Sequence, residues 1–276
     1  MALEICTRQT LPFFVDLPMI EASGAGPAAA TELIDLQRQV IRLGNQTLEF
    51  GDLFACHHVG DQPGVVWCGD TGRLNYVARN LCTGHVRVEG PVGDHAGCEM
   101  RGGRLEVTGD AGHWLASDLK GGTIVVEGSC GQYAAASLPA RRRGMTGGVV
   151  VIRGSAAGGL GRRMRRGMVV VEGDSQESGT EMLAGTIILG GNVTGSVGTM
   201  MKRGTIVCLQ GLGEPQRMNL LRGIVYRPLV WRLMERHLIE QNAGLRQPPS
   251  GMFQLYHAAP HTESRGEVWT ACPQAA

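Results

Sequence analysis

The sequence predicts an all-β protein: a right-handed parallel β-helix (solenoid) of about eight coils, with a C-terminal helix and an extended tail. Three observations support this fold: a repeat of about 19 residues, a glycine at the start of each repeat, and two apolar columns within it. The chain has 276 residues and 42 glycines, about twice the usual share. Because each glycine has a fixed place in the repeat, the glycines indicate regular structure rather than a flexible linker.

Each repeat consists of a glycine followed by a short strand, as in "KGGTIVVEG" (120–128) and "RRGMVVVEG" (165–173). One longer interval contains a seven-residue insertion around "LPARRRG" (138–144). The second and fourth residues after each glycine are apolar, and alternation along a strand places both on one face. A single coil cannot bury that face, so the coils are expected to stack with parallel strands and right-handed crossovers. The opening glycines are Gly64, Gly84, Gly103, Gly122, Gly148, Gly167, Gly185 and Gly204.

The repeat divides the chain into three parts. Residues 61–212 are the predicted repeat domain, and residues 1–60 are an N-terminal flank and cap, with a candidate early coil at "GNQTLEFG" (44–51). Residues 213–276 are predicted to form a helix and an extended arm. The helix over 227–241 is expected to cover the open end of the solenoid with an apolar stripe, which comprises Leu229, Val230, Leu233, Met234 and Leu238.

Composition excludes several classes of function. Lys plus Arg is 26 and Asp plus Glu is 25, so net charge does not favour nucleic acid or a membrane as partner. The eight cysteines form no CxxC pair, and the first residues lack a signal-peptide pattern. We therefore expect a cytoplasmic protein with reduced thiols. His57 and His58 beside Cys56 are expected to lie in a polar loop rather than a metal site, and no metal or catalytic residue is predicted.

Two outward features favour a binding role. The third strand position should face solvent, yet five successive repeats carry aliphatic residues there, which predicts a partner interface. The competing interpretation is that the chain's own tail covers this strip. The strip comprises Val125, Val151, Val170, Ile188 and Val207.

The second outward feature is basic. Arg101, Lys120, Arg165 and Lys202 share one column, and Glu99, Asp118 and Glu181 stand two positions earlier in their coils, where they are expected to pair with it. Seven arginines, of which Arg165 also belongs to this column, have no acidic residue near them between positions 140 and 171 and predict an anionic partner. These are Arg141, Arg142, Arg143, Arg162, Arg163, Arg165 and Arg166.

The repeats "GHVRVEG", "GRLEVTG", "GTIVVEG" and "GMVVVEG" resemble the β-helical subunit of formylmethanofuran dehydrogenase, a family similar to the C-terminal β-helix of the large glutamate synthase subunit. The free-standing length, the N-terminal flank and the segment "RPLVWRLMERHL" distinguish the chain from glutamate synthase. Its Ala- and Arg-rich character and its tail resemble the methylotrophic bacterial version of the family, which belongs to a formyltransferase/hydrolase complex. That resemblance implies a non-catalytic subunit of a complex that moves a formyl group from tetrahydromethanopterin to a methanofuran-type carrier and releases formate.

The resemblance implies partners as well. They are an amidohydrolase-like subunit, a formyltransferase subunit, a further structural subunit and the anionic polyglutamate tail of the carrier, which the arginines could attract. No cofactor is expected on this chain itself. The alternatives are a stand-alone solenoid enzyme, such as a hexapeptide acyltransferase with a left-handed helix, or a glutamate synthase-like β-helix protein.

Overall fold

The computed structural model describes residues 2–8, 10–11, 14–17, 36–43, 46–59, 64–217, 220–246, 249, 251–259 and 264–272. Strands predominate in these ranges, which confirms the all-β prediction. In chain order the elements are β1 (Ala2–Thr7), β2 (Val15–Asp16), β3 (Val40–Leu43), β4 (Gln46–Glu49), α1 (Phe50–Leu53), β5 (Phe54–Val59), β6 (Gly64–Cys68), β7 (Leu74–Asn75), β8 (His85–Val88), β9 (Arg104–Val107), β10 (Thr123–Val126), β11 (Val149–Ile152), β12 (Met168–Val171), β13 (Thr186–Leu189), β14 (Thr205–Cys208), α2 (Glu214–Arg217), β15 (Leu220–Tyr226), α3 (Leu229–Glu240), β16 (Phe253–Ala258) and β17 (Glu267–Ala271).

One sheet runs through the described part of the chain. Its 13 strands there have the order β15-β16-β17-β14-β13-β12-β11-β10-β9-β8-β6-β1-β5. Adjacent strands are parallel throughout the run β1-β6-β8-β9-β10-β11-β12-β13-β14-β17. The outermost strands β5, β16 and β15 are antiparallel to their neighbours. The flanks on both sides of the repeats therefore extend the same sheet.

Successive repeats stack in register. Ile124 lies opposite Leu105 on one side and Val150 on the other, even though 26 residues separate Ile124 from Val150. A second line of parallel bridges joins the repeats away from the main sheet, through Val92, Ala111, Cys130, Ala156, Ser175 and Val193. Because neighbouring repeats meet along two separate lines, each repeat covers the apolar interior of the next.

The opening glycines have the backbone conformation that the sequence predicts. All eight have positive φ; Gly122, for example, has φ of 90°. A Cβ built on Gly122 would lie 2.7 Å from the carbonyl oxygen of Gly103 in the preceding repeat, closer than real Cβ contacts allow. Both the φ angle and the close approach exclude other residues at this corner.

The two inward columns form the core as predicted. Every residue at the second and fourth strand positions, from Val86 and Val88 to Ile206 and Cys208, is at most 2% exposed. A third buried column lies before the opening glycines and consists of Met100, Leu119, Met145, Met164, Met182 and Met201.

The outward aliphatic strip is covered by the chain itself, so the prediction of a partner interface there is wrong. Val125, Val151, Val170, Ile188 and Val207 are each at most 5% exposed. They form a second apolar cluster with side chains of the C-terminal segment: Trp231, Leu238, Ala243, Phe253, Leu255 and Trp269.

Polar contacts hold this C-terminal cover in place. Arg104 donates to the carbonyl oxygen of Gln241 (2.7 Å), and Arg153 donates to that of Gly244 (2.8 Å). The competing interpretation from the sequence, that the tail covers the strip, is therefore the one observed.

The C-terminal helix exists, but its buried face differs from the prediction. In α3, Trp231 and Leu238 are buried against the outer face of the sheet, whereas Leu229 and Leu233 are 75% and 61% exposed. The helix therefore lies on the outer face of the stack, and only part of its apolar stripe is used there.

Two further expectations for the N-terminal flank are also wrong. Within the candidate early coil, β4 pairs antiparallel with β3 in a hairpin and α1 follows it, so this segment has no repeat strand. Residues 44 and 45 lie outside the described part. Cys6 and Cys68 form a disulfide instead of remaining reduced, because the parallel pairing of β1 with β6 places them directly opposite each other. The other six cysteines are free thiols, as expected.

Candidate interaction surface

The seven-residue insertion forms a loop on a corner of the stack. The N–H groups of Ser137 and Gly144 donate to the carbonyl oxygens of Arg162 and Arg163, two consecutive residues of the next repeat (3.0 and 2.9 Å). The chain thus leaves the stack at Ser137 and returns to it at Gly144. The arginines between these two positions are exposed.

An acidic column stands directly beside this loop. Glu99, Asp118 and Glu181 share a left-handed backbone conformation, with φ between 52° and 58°. Asp118 accepts a hydrogen bond from the N–H of Leu138 (3.3 Å), at the base of the insertion. Arg141 reaches back from the loop to both Glu99 (2.7 Å) and Asp118 (3.0 Å).

The other end of the surface has a similar arrangement. Arg162 and Arg163 both bind the carboxylate of Glu181, Arg162 at 3.4 Å. Arg163 also donates to the carbonyl oxygen of Arg141 (3.4 Å), which links the two groups. Glu99 additionally contacts Arg79 at 3.5 Å. Three of the seven predicted arginines are therefore paired with carboxylates that lie 18 to 42 residues away along the chain.

The pKa values of these carboxyls follow from their surroundings. Burial acts to raise the pKa of Glu99, but the hydrogen bond and charge of Arg141 outweigh it and the pKa is lowered. Burial raises the pKa of Asp118 despite the Leu138 N–H and Arg141, because this side chain is only 5% exposed. The hydrogen bond from Arg163 lowers the pKa of Glu181.

The structure corrects the predicted pairing of the basic column. Glu99, Asp118 and Glu181 contact Arg79, Arg141, Arg162 and Arg163, and none of them forms a salt bridge with Arg101 or Lys120 in the described residues. Lys120 still contributes, because its charge lowers the pKa of both Glu99 and Asp118.

Four of the seven predicted arginines keep their charge available. Arg142, Arg143, Arg165 and Arg166 form no salt bridge within the described ranges, and all except the half-buried Arg165 are exposed. We call these four the arginine patch. It lies on the insertion and on the corner of the repeat that follows, so its positive charge is local.

An aromatic column at the 19-residue spacing lies on the same side of the repeats as the acidic column. Tyr76, His95, Trp114 and Tyr133 stack with ring centroids 4.7, 6.2 and 4.6 Å apart. Each of these four residues has φ near 60°. In the repeats that contain both columns, the aromatic residue precedes the acidic residue by four positions, as His95 precedes Glu99. Burial lowers the pKa of His95, which favours the neutral form of its ring. Sequence reasoning missed this column, although the spacing of 19 was visible in the sequence.

Metal-ligand geometry occurs once in the described part of the chain. Glu4, Cys6 and Cys68 bring a carboxylate and two sulfurs within 4.8 Å of one another, but the two sulfurs form the disulfide. His57 and His58 are exposed on β5 rather than in a loop, and they do not join this group.

A pocket of about 360 Å³ lies where the residues that follow β12, β13 and β14 face part of the C-terminal segment. Glu172, Leu209, Gln210 and Arg246 contribute to its lining. Its charged groups are already engaged, because Arg153 contacts Glu172 at 2.6 Å and Arg246 binds both Glu172 and Glu127. The charged side chains that line this pocket are therefore already paired.

The solved structures that match include a chain of the same architecture over nearly the whole length of this one. It comes from the X-ray crystal structure of the formyltransferase/hydrolase complex (FhcABCD) from Methylorubrum extorquens in complex with methylofuran. The match has a TM-score of 0.79 and 27% sequence identity, and it covers 98% of this chain and 100% of that chain. This chain is similar to a subunit of the formyltransferase/hydrolase complex.

The resemblance that the repeats predict is thereby confirmed, and the prediction that the chain is a subunit of an enzyme complex is supported. No protein-family model matches the sequence, and no curated protein matches it. In the part of the chain that the structure describes, no helix is long and apolar enough to cross a membrane.

Proposed function

We propose that this chain is a structural, non-catalytic subunit of a formyltransferase/hydrolase complex and that it is a scaffold for the catalytic subunits. The complex would transfer a formyl group from tetrahydromethanopterin to a methanofuran-type carrier and release formate. The observation that carries this proposal is the match to a subunit of such a complex across both full lengths.

The fold supports a scaffold role. We interpret the stack as a right-handed parallel β-helix, because parallel strands joined by crossovers within one sheet are right-handed in about 98% of cases. The interior is closely filled, and the outer strip is covered by the chain's own C-terminal segment. A stack with these features offers rigid outer surfaces to its partners, which we propose are the amidohydrolase-like, formyltransferase and further structural subunits in the cytoplasm.

Copurification tests this proposal directly. A tagged full-length chain expressed in its native cell should isolate stoichiometric amounts of subunits that catalyse formyl transfer and hydrolysis. The isolated chain should lack both activities, and adding it back to a preparation depleted of it should restore assembly. Activity in the isolated chain, or purification without such subunits, would contradict the proposal.

We further propose that the arginine patch attracts an anionic carrier tail. The similar complex was crystallised with methylofuran. Arg142, Arg143, Arg165 and Arg166 are the members of the predicted set whose charge is not neutralised by a carboxylate in the described residues, whereas Arg141, Arg162 and Arg163 hold the loop in place. Charges on an exposed corner raise the local concentration of an anionic ligand, and salt weakens the effect.

Replacing the four patch arginines with serine in the intact complex should raise the KM for a carrier with a long anionic tail. It should leave the KM for a truncated carrier unchanged. Arg87→Ser is the matched control, because Arg87 is about half exposed on β8, on a different face of the repeat. Dissociation of the complex on the fourfold substitution would instead identify the patch as a contact between subunits, and an unchanged KM would leave it no role in carrier binding.

A further inference from the structure

The C-terminal segment carries an apolar surface that it does not cover. Six aliphatic side chains of β15 and α3 are between 42% and 75% exposed. We call this the β15–α3 surface; it comprises Leu221, Ile224, Val225, Leu229, Val230 and Leu233. Such side chains are normally exposed singly, and a group of six on two successive elements indicates an interface.

Helix α3 has a wider apolar face than its own sheet uses. At 100° per residue, its aliphatic residues from Leu229 through Leu233 to Leu238 cover an arc of about 180°. One half of this arc, with Leu238 and the neighbouring Trp231, is buried against the sheet. The other half, with Leu229 and Leu233, points away from it. The exposed half therefore has no structural role within the described part of the chain.

Strand β15 ends the main sheet and has an open edge. It spans seven residues, pairs only with β16 among the described strands, and has exposed side chains on both faces. Edge strands of this length are normally shielded by charges, bulges or a covering element, because they can pair with another chain. The protection here is small: the charge of Arg222 and a register irregularity between Arg222 and Val225.

The charges beside this surface indicate what could occupy it. Arg222, Arg227 and Arg232 are exposed along it; Arg222 donates to the neutral side chain of Gln254. Neither Arg227 nor Arg232 forms a salt bridge within the described ranges. A second copy of this chain would bring like charges together, which opposes self-association. The complementary partner carries carboxylates beside aliphatic side chains.

We propose that the β15–α3 surface docks a different subunit of the complex, through a strand that pairs with the free edge of β15. That strand carries aliphatic residues that cover Ile224 and the outer half of α3, and acidic residues that meet Arg227 and Arg232. The backbone hydrogen bonds would supply affinity, and the side chains on either face would supply specificity. This inference rests on the proposed function as one subunit of a complex and names the chemistry of one contact.

The test compares three tagged full-length variants with the parent in the native cell. The apolar variant combines Ile224→Ser, Leu229→Ser and Leu233→Ser, and the charge variant combines Arg227→Glu and Arg232→Glu. The control is Ile239→Ser, because Ile239 is 62% exposed on the same helix but lies outside the apolar arc. All these side chains are exposed, so circular dichroism and thermal melting should match the parent.

We expect the apolar variant to recover at least about tenfold less of one partner subunit, while the control recovers the parental amount. The charge variant should show a smaller loss that disappears at high salt. If the parent recovers the partners and both folded variants recover them equally, the inference is wrong and the proposed function stands. A parent that is a dimer by light scattering, with a monomeric apolar variant, would assign the surface to a second copy and overturn the inference. A parent that recovers no subunit would overturn the proposed function itself.

Discussion

Val169 and Val170 provide a direct test of the C-terminal cover. They are neighbours on β12; Val169 faces the interior of the stack and Val170 faces outward, yet both are fully buried. Substitution by alanine removes two methyl groups from either residue. At about 0.8 kcal/mol per buried carbon the transfer loss is about 1.6 kcal/mol, and the residual cavity brings it to about 2 kcal/mol.

The structure therefore predicts that Val169→Ala and Val170→Ala lower the free energy of unfolding by similar amounts in the full-length chain without partners. Urea denaturation followed by tryptophan fluorescence measures both, and Trp231 and Trp269 report directly on the cover because they pack on that face. Ile224→Ala is the control, because its side chain is 65% exposed, and it should change stability by less than about 0.5 kcal/mol.

The reasoning fails if Val170→Ala is as neutral as Ile224→Ala while Val169→Ala shows the full loss. That result would mean that the C-terminal segment does not cover the strip in the free chain. A partner would then have to bury Val170, as the sequence alone suggested.

Three further predictions follow from single contacts. Val126→Asp should prevent folding, because an unpaired buried carboxylate costs several kcal/mol. Soluble yield and circular dichroism measure whether the variant folds. A variant as stable as the parent would refute the inward orientation of this column. Arg163 lowers the pKa of Glu181, so this carboxylate stabilises the fold above its unfolded pKa, and the contribution is lost as pH falls through its folded pKa. Glu181→Gln should therefore flatten the acid side of the profile of unfolding free energy against pH. An unchanged profile would exclude the Glu181–Arg163 pair as a source of stability. Cys68→Ser removes a disulfide between residues 62 positions apart. It should lower the free energy of unfolding by up to about 4 kcal/mol in non-reducing buffer and leave it unchanged under reducing conditions. A count of eight free thiols in the native parent would show that the disulfide does not form.

The repeat made the interior predictable. A fixed spacing combined with alternation along each strand placed Val126 and Val169 inward without knowledge of the rest of the chain. The opening glycines could be assigned for the same reason, because only a corner with positive φ and a close backbone neighbour requires glycine in every repeat.

The surface was not predictable in the same way. An aliphatic residue at an outward position such as Val170 needs a cover, but the sequence does not say whether the tail or a partner supplies it. The charges were misjudged because acidic residues were counted nearby in the sequence, whereas Arg141 meets Glu99 across 42 residues and two stacking steps. The disulfide was missed because the parallel pairing of β1 with β6, which brings Cys6 to Cys68, is not part of the repeat.

The in-register stack fixes a length. The eight parallel strands from β6 to β14 in the described sheet make seven steps, and at about 4.8 Å per step they span about 34 Å. Inserting or deleting one complete repeat would change that distance by a single step and leave every other contact in register. The insertion at 138–144 does not change the spacing of the strands along the stack. Ser137 and Gly144 donate hydrogen bonds to consecutive residues of the next repeat, so the inserted loop projects to the side. The number of repeats therefore sets the distance between groups bound at the two ends of the stack, in increments of one strand spacing.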